Sequence, residues 1–598
     1  MYNHDDICDG ILKRFENEKL PLNNVDCREL FLATCINGNI ELAKRLAVLC
    51  GEDFLTEHTF GKAYNIPLNL SAAFNNIYIS KFLLNMNCNI NSQFYGYTVL
   101  HCAVCNGHYD STKILLENEA DINMCSIKNN RTALFCACED GFENIVHLLL
   151  QYKADVNICL SNGMNHLYVA CHMGHLNIVK MLLENRAEIN LCENSGWSPL
   201  SIASSVGNIS IVEILIENKA DVNLCNNIGD SPLIKASNRG QADVVQILLE
   251  NKADVNLCDN DGQSPLLWAS CKGHINIVQI LLENKADVNL CDNEGQSPFY
   301  WASSNGHKNI VQILLENKAD VNLCDNESQS PLYWASHNGH KDIVQILLES
   351  KADVNLCKNG GQSPLYWASS NGHENIVQIL LENKADVNLC DNDGKSPLLS
   401  ATYNGHKDIV QILLENKADV NLLDNDGGTP LFWATYNGHK GIVQILLENN
   451  ANVNLCDNNG QSPLHWAVSK GHINIVQILL ENNADVNLCD NTGYSPLIKG
   501  SNRGQADVVQ ILLENKADVN LCDNVGRSPL FWATYNGHIK IVEILIDISV
   551  RESCYHGSII KTGAWMLPST REVMNSCFCT YVNLNFLPKN CEFNMLFE

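Results

Sequence analysis

Hydrophobic and polar residues follow a fixed pattern in a unit that recurs along most of the chain. Each unit contains two segments with the spacing of a helix. In residues 292–324, DNEGQSPFYWASSNGHKNIVQILLENKADVNLC, the segment SPFYWASS carries apolar and small residues at helical spacing. Its Ser-Pro start suits the first turn of a helix, and Asn-Gly-His suits a short turn at its end. The next segment, NIVQILLE, has an apolar helical face about 100° wide, formed by Ile310, Val311, Ile313, Leu314 and Leu315. The pattern therefore predicts two short helices joined by a tight turn.

A polar segment, ADVNLCDNEG, connects each predicted helix pair to the next. It reads as extended and then turns at Asn-Glu-Gly, which predicts a hairpin-like loop. Ala-Asp-Val-Asn or a close variant starts at Ala120, Ala154, Ala187 and Ala220, and then every 33 residues to Ala517. Because two helices of about eight residues cannot enclose a core alone, each unit must bury its apolar face on its neighbours. The sequence therefore predicts a solenoid.

The repeated motifs S-P-L-x-W-A, N-G-H, I-V-Q-I-L-L and A-D-V-N resemble the T-P-L-H-x-A, G-H, I-V-x-x-L-L and G-A-D-V-N signatures of ankyrin repeats. The resemblance covers roughly residues 98–547 and implies an all-α ankyrin-repeat solenoid of stacked helix-turn-helix units with hairpin loops. Two more divergent units bring the expected total to about sixteen. The predicted organisation is an N-terminal cap at 1–27, divergent ankyrin repeats at 28–97, regular 33-residue repeats at 98–550, and a non-repeat C-terminal tail at 551–598.

The sequence departs from the family pattern before Ala-Asp-Val-Asn, and its last unit stops at ILIDISV without the closing Ala-Asp-Val-Asn. The glycine that precedes Ala-Asp-Val-Asn in the family is replaced by Lys285, Lys318 and their equivalents. A left-handed helix end at these lysines would cost roughly 1 kcal/mol per repeat, unless Asn284 and its counterparts adopt that conformation instead. The tail is expected to be a cap or a poorly ordered segment, but its NFLPKNCEFNMLF sequence resembles the box by which some ankyrin proteins recruit a cullin ubiquitin ligase.

Charge and composition narrow the class of protein. The 598 residues carry 40 basic and 67 acidic side chains, a net charge of −27, which argues against a nucleic-acid-binding surface. With 45% hydrophobic and 18% charged residues, the chain is too apolar for wholesale disorder. The start lacks a secretory n-region, and apolar runs such as IVQILL are too short to span a membrane. We therefore expect a cytoplasmic monomer without membrane insertion, with the nucleus as an open alternative compartment.

Most candidate catalytic and metal-binding side chains recur at a fixed position of the repeat. The Gly-His histidines and the twelve periodic cysteines each recur once per unit, at an expected spacing of about 10 Å. That spacing is too large for a shared metal or a disulfide. Motifs for phosphate binding, nucleophilic catalysis or a HExxH zinc site are absent from the sequence. We therefore predict no enzymatic activity, no catalytic residue, no metal and no cofactor.

One cluster leaves alternatives open. The segment HCAVCNGH combines two histidines with two cysteines one helical turn apart, and the following unit adds a further thiol in the slot of the first cysteine. We expect ordinary packing, with a zinc site or redox sensing as alternatives. The residues concerned are His101, Cys102, Cys105, His108 and Cys136.

Tryptophan is the most informative residue type. Seven of the nine tryptophans occupy one position of the first helix, here named the tryptophan slot. This slot lies on a different helical face from Leu266, Ala269 and Ser270, which form the expected core face. Other units have Lys235 or Lys499 in the slot, and an ammonium is not tolerated in a dry core, so we expect solvent to reach it.

Further aromatic residues precede the tryptophan slot or follow it by three positions. Together they form what we name the aromatic ridge, which by the ankyrin resemblance borders a concave binding groove. The alternative is that the indoles only pack repeat on repeat. The predicted protein-binding residues are Trp268, Trp301, Tyr333, Trp334, His337, Tyr366, Trp367, Tyr403, Trp433, Tyr436, Trp466, Trp532 and Tyr535.

The predicted function is a non-catalytic scaffold or adaptor that binds other proteins through the groove and the hairpin tips. Two alternatives are a substrate-recognition subunit of a cullin ubiquitin ligase and a targeting subunit of an enzyme such as a phosphatase. The segment LLENKADVN also resembles ankyrin sequences that are hydroxylated on the final asparagine. This resemblance implies candidate modification sites at Asn289, Asn322, Asn388 and Asn421, unless the asparagine only fixes the hairpin.

Overall fold

A computed structural model describes residues 24–50 and 66–555, and the chain divides into two units, 1–425 and 426–598. The described residues contain sixteen consecutive helix pairs, twelve in the first unit and four in the second. We number these pairs repeat 1 to repeat 16 in chain order. The predicted all-α solenoid of stacked helix-turn-helix repeats is thereby confirmed.

The first unit contains α1 Asn24–Asn37, α2 Ile40–Cys50, α3 Ile66–Ala73, α4 Ile77–Asn85, α5 Val99–Val104, α6 Tyr109–Glu117, α7 Ala133–Asp140, α8 Glu143–Gln151, α9 His166–Met173, α10 Leu176–Glu184, α11 Pro199–Val206, α12 Ile209–Glu217, α13 Pro232–Arg239, α14 Ala242–Glu250, α15 Pro265–Lys272, α16 Ile275–Glu283, α17 Pro298–Ser304, α18 Lys308–Glu316, α19 Pro331–Asn338, α20 Lys341–Glu349, α21 Pro364–Ser370, α22 Glu374–Glu382, α23 Pro397–Asn404 and α24 Lys407–Glu415. Two short strands, β1 Gln93–Phe94 and β2 Tyr97–Thr98, pair in antiparallel fashion before α5.

The second unit contains α25 Pro430–Asn437, α26 Lys440–Glu448, α27 Pro463–Lys470, α28 Ile473–Glu481, α29 Pro496–Arg503, α30 Ala506–Glu514, α31 Pro529–Tyr535 and α32 Ile539–Tyr555. Within each unit, the first helix of a repeat packs against the first helix of the next. The second helices contact one another in the same way and form a second row.

The ends of the first helices follow from the sequence. At the start of α19, the Ser330 Oγ accepts the Tyr333 backbone N–H at 3.1 Å, and Pro331 is the first helical residue. At its end, Gly339 adopts the left-handed conformation with φ of 84°. A Cβ on Gly339 would lie 2.7 Å from the His373 ring of the next repeat, so glycine is required there for space as well as for backbone conformation.

The core runs between the two rows of helices. In α18, Ile310, Val311 and Leu314 are fully buried, whereas Ile313 and Leu315 keep part of their surface exposed. The buried stripe of this helix is therefore narrower than the five-residue face that the sequence predicted.

Histidines and asparagines tie consecutive repeats together. The His340 Nε2 donates to the Ser304 carbonyl of the preceding repeat at 2.9 Å, and equivalent histidines make the same bond elsewhere in both units. In the connecting loop, the Asn289 Oδ1 accepts the Asp320 N–H at 2.9 Å. Because these bonds join adjacent repeats, the recurrent polar residues fix the repeat-to-repeat register as well as their own turns.

The lysines that replace the family glycine take the left-handed conformation themselves. Lys285 has φ of 67°, while the preceding Asn284 has φ of −90°. The alternative in which the asparagine adopts the left-handed conformation is therefore wrong. The lysine backbone accepts the strain because this conformation brings the Ala286 N–H to the Leu281 carbonyl, at 3.0 Å.

Several predicted segments lie mainly outside the described residues. Only 24–27 of the predicted N-terminal cap is described, as the start of α1, and only 551–555 of the predicted tail, as the end of α32. The segment that resembles a ligase-recruiting box lies outside the described residues, and the three boundaries between the four predicted segments stay predictions. Among the helices of residues 24–50 and 66–555, none combines the length and the apolarity that a membrane span requires.

Candidate protein-binding surface

The tryptophan slot lies at the boundary between core and solvent. All seven of its tryptophans are half-buried, and none of them is fully exposed. The neighbouring positions Leu332, Ala335 and Ser336 of α19 are buried, as the sequence predicted for the equivalent core face. The slot therefore leaves part of each tryptophan exposed to solvent.

Polar groups at the base of the hairpin hold several of the indoles in place. The Trp532 Nε1 donates to the Asp523 Oδ2 at 3.1 Å, and the Trp268 Nε1 donates to the Asp259 Oδ2 at 3.4 Å. The other oxygen of Asp259 accepts the Gln263 backbone N–H at 2.8 Å, which closes the hairpin. One carboxylate thus fixes both the loop and the ring. Burial raises the pKa of the Asp259 carboxyl, since the site is partly desolvated.

In two repeats, a lysine occupies the tryptophan slot and pairs with an aspartate. Lys235 forms an ion pair with Asp230, and the side chain of Lys235 is only 16% exposed. The Lys499 Nζ lies 3.8 Å from the Asp490 Oδ2, and burial lowers the pKa of Lys499 despite that carboxylate. The slot therefore tolerates an ammonium because a carboxylate faces it, in addition to the partial solvent access of the lysine side chain.

The aromatic ridge of the first unit is continuous over three repeats. Tyr300 contacts Trp334 with ring centroids 6.0 Å apart, and Tyr333 contacts Trp367 at 6.2 Å. His337 lies between two indoles, at 5.3 Å from Trp334 and 4.8 Å from Trp367. These distances are typical of edge-to-face aromatic pairs. Rings from repeats 9, 10 and 11 therefore form one connected cluster, in which Tyr300 and Tyr333 are buried and the indoles are half-buried.

The second unit carries a shorter stretch of the same arrangement. Tyr436 lies 5.7 Å from Trp433 and 5.1 Å from Trp466, and the Lys470 Nζ lies 4.1 Å from the centre of the Tyr436 ring. The lysine contact shows that a cation can occupy the face of a ridge ring.

The predicted binding residues differ in exposure. Tyr333 is only 3% exposed and supports the ridge from beneath, whereas Tyr366, at the same position of the next repeat, is half-buried. Tyr403 and Tyr535 are exposed, and Tyr535 reaches 73% in the last repeat. His337 and Tyr436 are half-buried, like the slot tryptophans.

Acidic side chains that sequence reasoning did not assign to the surface lie beside the ridge. The Trp334 Nε1 donates to the Gln329 Oε1 at 3.1 Å, and the Gln329 Nε2 donates to the Glu327 Oε2 at 3.1 Å. In repeat 9, the Gln296 Nε2 donates to the Glu294 Oε2 at 3.1 Å, but the Trp301 Nε1 has no hydrogen-bond partner among the described residues. Both glutamates are exposed. In the sequence, a glutamine recurs two residues after the acidic residue of the hairpin, and this spacing could have indicated the glutamine–glutamate bond.

The candidate hydroxylation sites lie in the loops between repeats. Asn289, Asn322 and Asn388 are exposed, and each accepts the backbone N–H of the aspartate in the next repeat at 2.8 to 2.9 Å. Asn421 is half-buried. The first three side chains thus have a structural role in addition to being accessible.

The His and Cys residues of HCAVCNGH do not converge on one point. His101 bonds to Thr98 and to the Arg131 carbonyl, and the His108 Nε2 donates to the Ala73 carbonyl at 2.9 Å. The Cys102 Sγ accepts an N–H of Asn69. Within the described part of the chain, no group of three or more His, Cys, Asp or Glu side chains is arranged to hold a metal ion.

Stacked helix pairs, Ser-Pro helix starts and hairpin loops define an ankyrin-type repeat protein. The sequence model of the family described as "Ankyrin repeats (3 copies)" matches residues 30–125, 121–193, 200–292, 281–358, 350–424, 416–490 and 482–553. The chain therefore belongs to the ankyrin repeat family, for which protein binding is typical.

A curated relative shares a short part of the sequence. Over 101 residues, the chain is 34% identical to the serine/threonine-protein kinase TNNI3K of Mus musculus. The match covers 17% of this chain and 12% of that kinase. The chain thus spans a small part of the relative's length.

Proposed function

We propose that this ankyrin protein is a non-catalytic scaffold or adaptor that binds a basic segment of a partner protein along the aromatic ridge. The observation that supports this proposal is the connected series of rings from Tyr300 to Trp367, whose indoles are half-buried and lie close to the exposed Glu327. Tryptophan and tyrosine are enriched at binding hot spots. Aromatic faces also attract lysine and arginine side chains.

The charge of the molecule favours the same partner chemistry. Glu327 is linked to Trp334 through Gln329, Glu294 occupies the equivalent hairpin position of repeat 9, and the whole chain carries a net charge of −27. Such a field attracts cationic segments and repels nucleic acid. A partner that combines lysine or arginine with apolar residues therefore fits both parts of the surface.

The test uses fluorescent peptides and the full chain. One set alternates lysine or arginine with tyrosine or leucine, and the matched set replaces every basic residue with glutamate. We expect binding of the basic set alone. The double variant Glu294→Gln, Glu327→Gln should weaken that binding about tenfold, which corresponds to about 1.4 kcal/mol. Glu349→Gln, an exposed acid on the second helix of repeat 10, is the control and should change nothing. Equal binding of both peptide sets would contradict the proposal.

Two finer roles are distinguished by what co-purifies with the protein. A ubiquitin-ligase substrate receptor is supported by the resemblance of NFLPKNCEFNMLF to a ligase-recruiting box. Stoichiometric recovery of a cullin, lost when residues 585–598 are removed, supports that role. Recovery of a phosphatase catalytic subunit instead supports a targeting subunit.

Asparagine hydroxylation at Asn289, Asn322, Asn388 and Asn421 is a separate proposal. The loop asparagines that are exposed also hold the next repeat, so a hydroxylase must draw them out of that bond. Peptide mass spectrometry of protein from oxygenated cells should find an added oxygen on at least one of the four residues. Its absence from all four would contradict the proposal.

A further inference from the structure

Two thiols from neighbouring repeats face each other near the N-terminal end of the described chain. Cys105 follows α5 in repeat 3 and is exposed, whereas Cys136 lies in α7 of repeat 4 and is buried. The two thiols lie close enough for each to influence the ionisation of the other. The periodic loop cysteines differ, since Cys291, for example, donates to a backbone carbonyl within its own repeat.

The repeat frame explains why these two side chains meet. Cys105 occupies the position of His337, three residues after the tryptophan slot, and Cys136 occupies the slot position of Trp367. In repeats 10 and 11, the His337 and Trp367 rings are in contact, with centroids 4.8 Å apart. Side chains at these two positions therefore face each other across the repeat boundary, and in repeats 3 and 4 both are thiols.

The environments of the two thiols make them chemically unequal. The hydrogen bond from Cys136 lowers the pKa of Cys105, an effect that outweighs burial and the nearby acids and is helped by Arg131. The same bond and burial raise the pKa of Cys136. Cys105 is thus the accessible thiol that ionises more readily, and Cys136 is the protonated donor beneath it.

We propose that Cys105 and Cys136 form a peroxide-reactive pair that closes to a reversible disulfide between repeats 3 and 4. The Cys105 thiolate attacks one oxygen of a peroxide, an S–O bond forms and the O–O bond breaks. Sulfur is oxidised by two electrons to a sulfenic acid, and the leaving oxygen takes a proton from water. The Cys136 sulfur then attacks the Cys105 sulfur, an S–S bond forms, and water leaves with the Cys136 proton. A dithiol reductant restores both thiols.

The bond would join α5 to α7 at positions that belong to the aromatic ridge in later repeats. It would also replace an exposed thiolate with a neutral group on that face. This inference stands apart from the proposed partner binding, because it depends only on the two thiols and their neighbours.

The experiment compares thiol reactivity within the full chain. Reduced protein is treated with hydrogen peroxide, quenched by isotope-coded alkylation and mapped as peptides without reduction. Cys271 is the internal control, since it occupies the position of Cys105 in repeat 8 but the following slot holds Trp301, and burial raises its pKa. We expect Cys105 to be oxidised at least tenfold faster than Cys271. A cross-linked peptide pair containing Cys105 and Cys136 should appear and should disappear with dithiothreitol.

Two variants separate the steps. Cys136→Ser should abolish the cross-link and leave Cys105 as a sulfenic acid that dimedone traps, while Cys102→Ser should leave the cross-link unchanged. If a variant folds poorly, the rate comparison in the unmodified chain still decides. Equal oxidation rates at Cys105 and Cys271, or oxidation of Cys105 without the cross-link to Cys136, would overturn the proposal.

Discussion

Single buried polar residues carry specific hydrogen bonds in this fold, and His166 is the clearest example. Its Nδ1 donates to the Val156 carbonyl at 2.8 Å, because a carbonyl can only accept. Its Nε2 therefore accepts from the Thr132 hydroxyl at 2.8 Å. The ring is held neutral, and burial lowers the pKa of His166 to about 4. Protonation places a charge on a buried ring, and the Nε2 can then no longer accept from the Thr132 hydroxyl.

This arrangement predicts a stability that depends on pH. The folded pKa of His166 lies below the unfolded value of about 6.5, so the unfolded state binds more protons as pH falls. The stabilisation is complete above that value and is lost as pH falls towards 4. Between pH 7.5 and pH 5, we expect a loss of about 2 kcal/mol from this residue.

Denaturant midpoints of the unmodified chain and of His166→Gln, measured at both pH values, isolate this contribution. The variant should be less stable at the higher pH and should lose less stability on acidification. Parallel pH profiles for the two proteins would show that His166 does not titrate in this way.

At the scale of the helix and its ends, the strained lysines are the distinctive feature. Lys318 and Lys384 both have φ near 67° at the end of the second helix of their repeats. This conformation costs a residue with a Cβ roughly 1 to 2 kcal/mol. Glycine avoids that cost, but it loses more conformational entropy on folding, which offsets part of the gain.

We therefore expect Lys318→Gly to stabilise the protein by about 0.5 to 1 kcal/mol. Lys318→Ala is the matched control, because it removes the charge and the long side chain but keeps the Cβ. Chemical denaturation of the three proteins checks the prediction. If alanine stabilises as much as glycine, charge and not backbone strain is the cause.

The helices themselves were largely predictable from the sequence. The Ser-Pro start and the 33-residue period sufficed, because each helix is specified locally and then repeated. The choice between Asn284 and Lys285 for the left-handed position was not predictable, since both residues carry a Cβ. The burial of Tyr333 and the pairing of Lys235 with Asp230 also depend on neighbours that only the folded chain brings together.

At the scale of the whole molecule, repeated charge is the dominant electrostatic feature. Asp320, Asp353 and Asp386 are exposed and occupy the same position in successive repeats. Like charges about 10 Å apart repel by roughly 0.4 kcal/mol per pair in water. Salt screens this repulsion, since the Debye length falls from about 10 Å at 0.1 M to about 3 Å at 1 M.

We expect the thermal midpoint to rise between low and high sodium chloride concentrations. The triple variant Asp320→Asn, Asp353→Asn, Asp386→Asn keeps a side-chain acceptor at each position and should show a smaller rise. Scanning calorimetry at both concentrations measures the difference. An equal response of the two proteins would mean that this row of charges does not limit stability.

The central claim is that the aromatic ridge binds a partner, and paired measurements of affinity and stability test it most directly. Trp334→Ala, Trp367→Ala and Tyr366→Ala should each weaken binding of the basic peptide by about 30-fold, equivalent to about 2 kcal/mol. Their denaturant midpoints should fall by less than the midpoint of Tyr333→Ala, the buried control. For Tyr333→Ala we expect the free energy of unfolding to fall by about 3 to 5 kcal/mol. Full-size destabilisation of the first three variants with unchanged affinity would contradict the account and leave the ridge as packing alone.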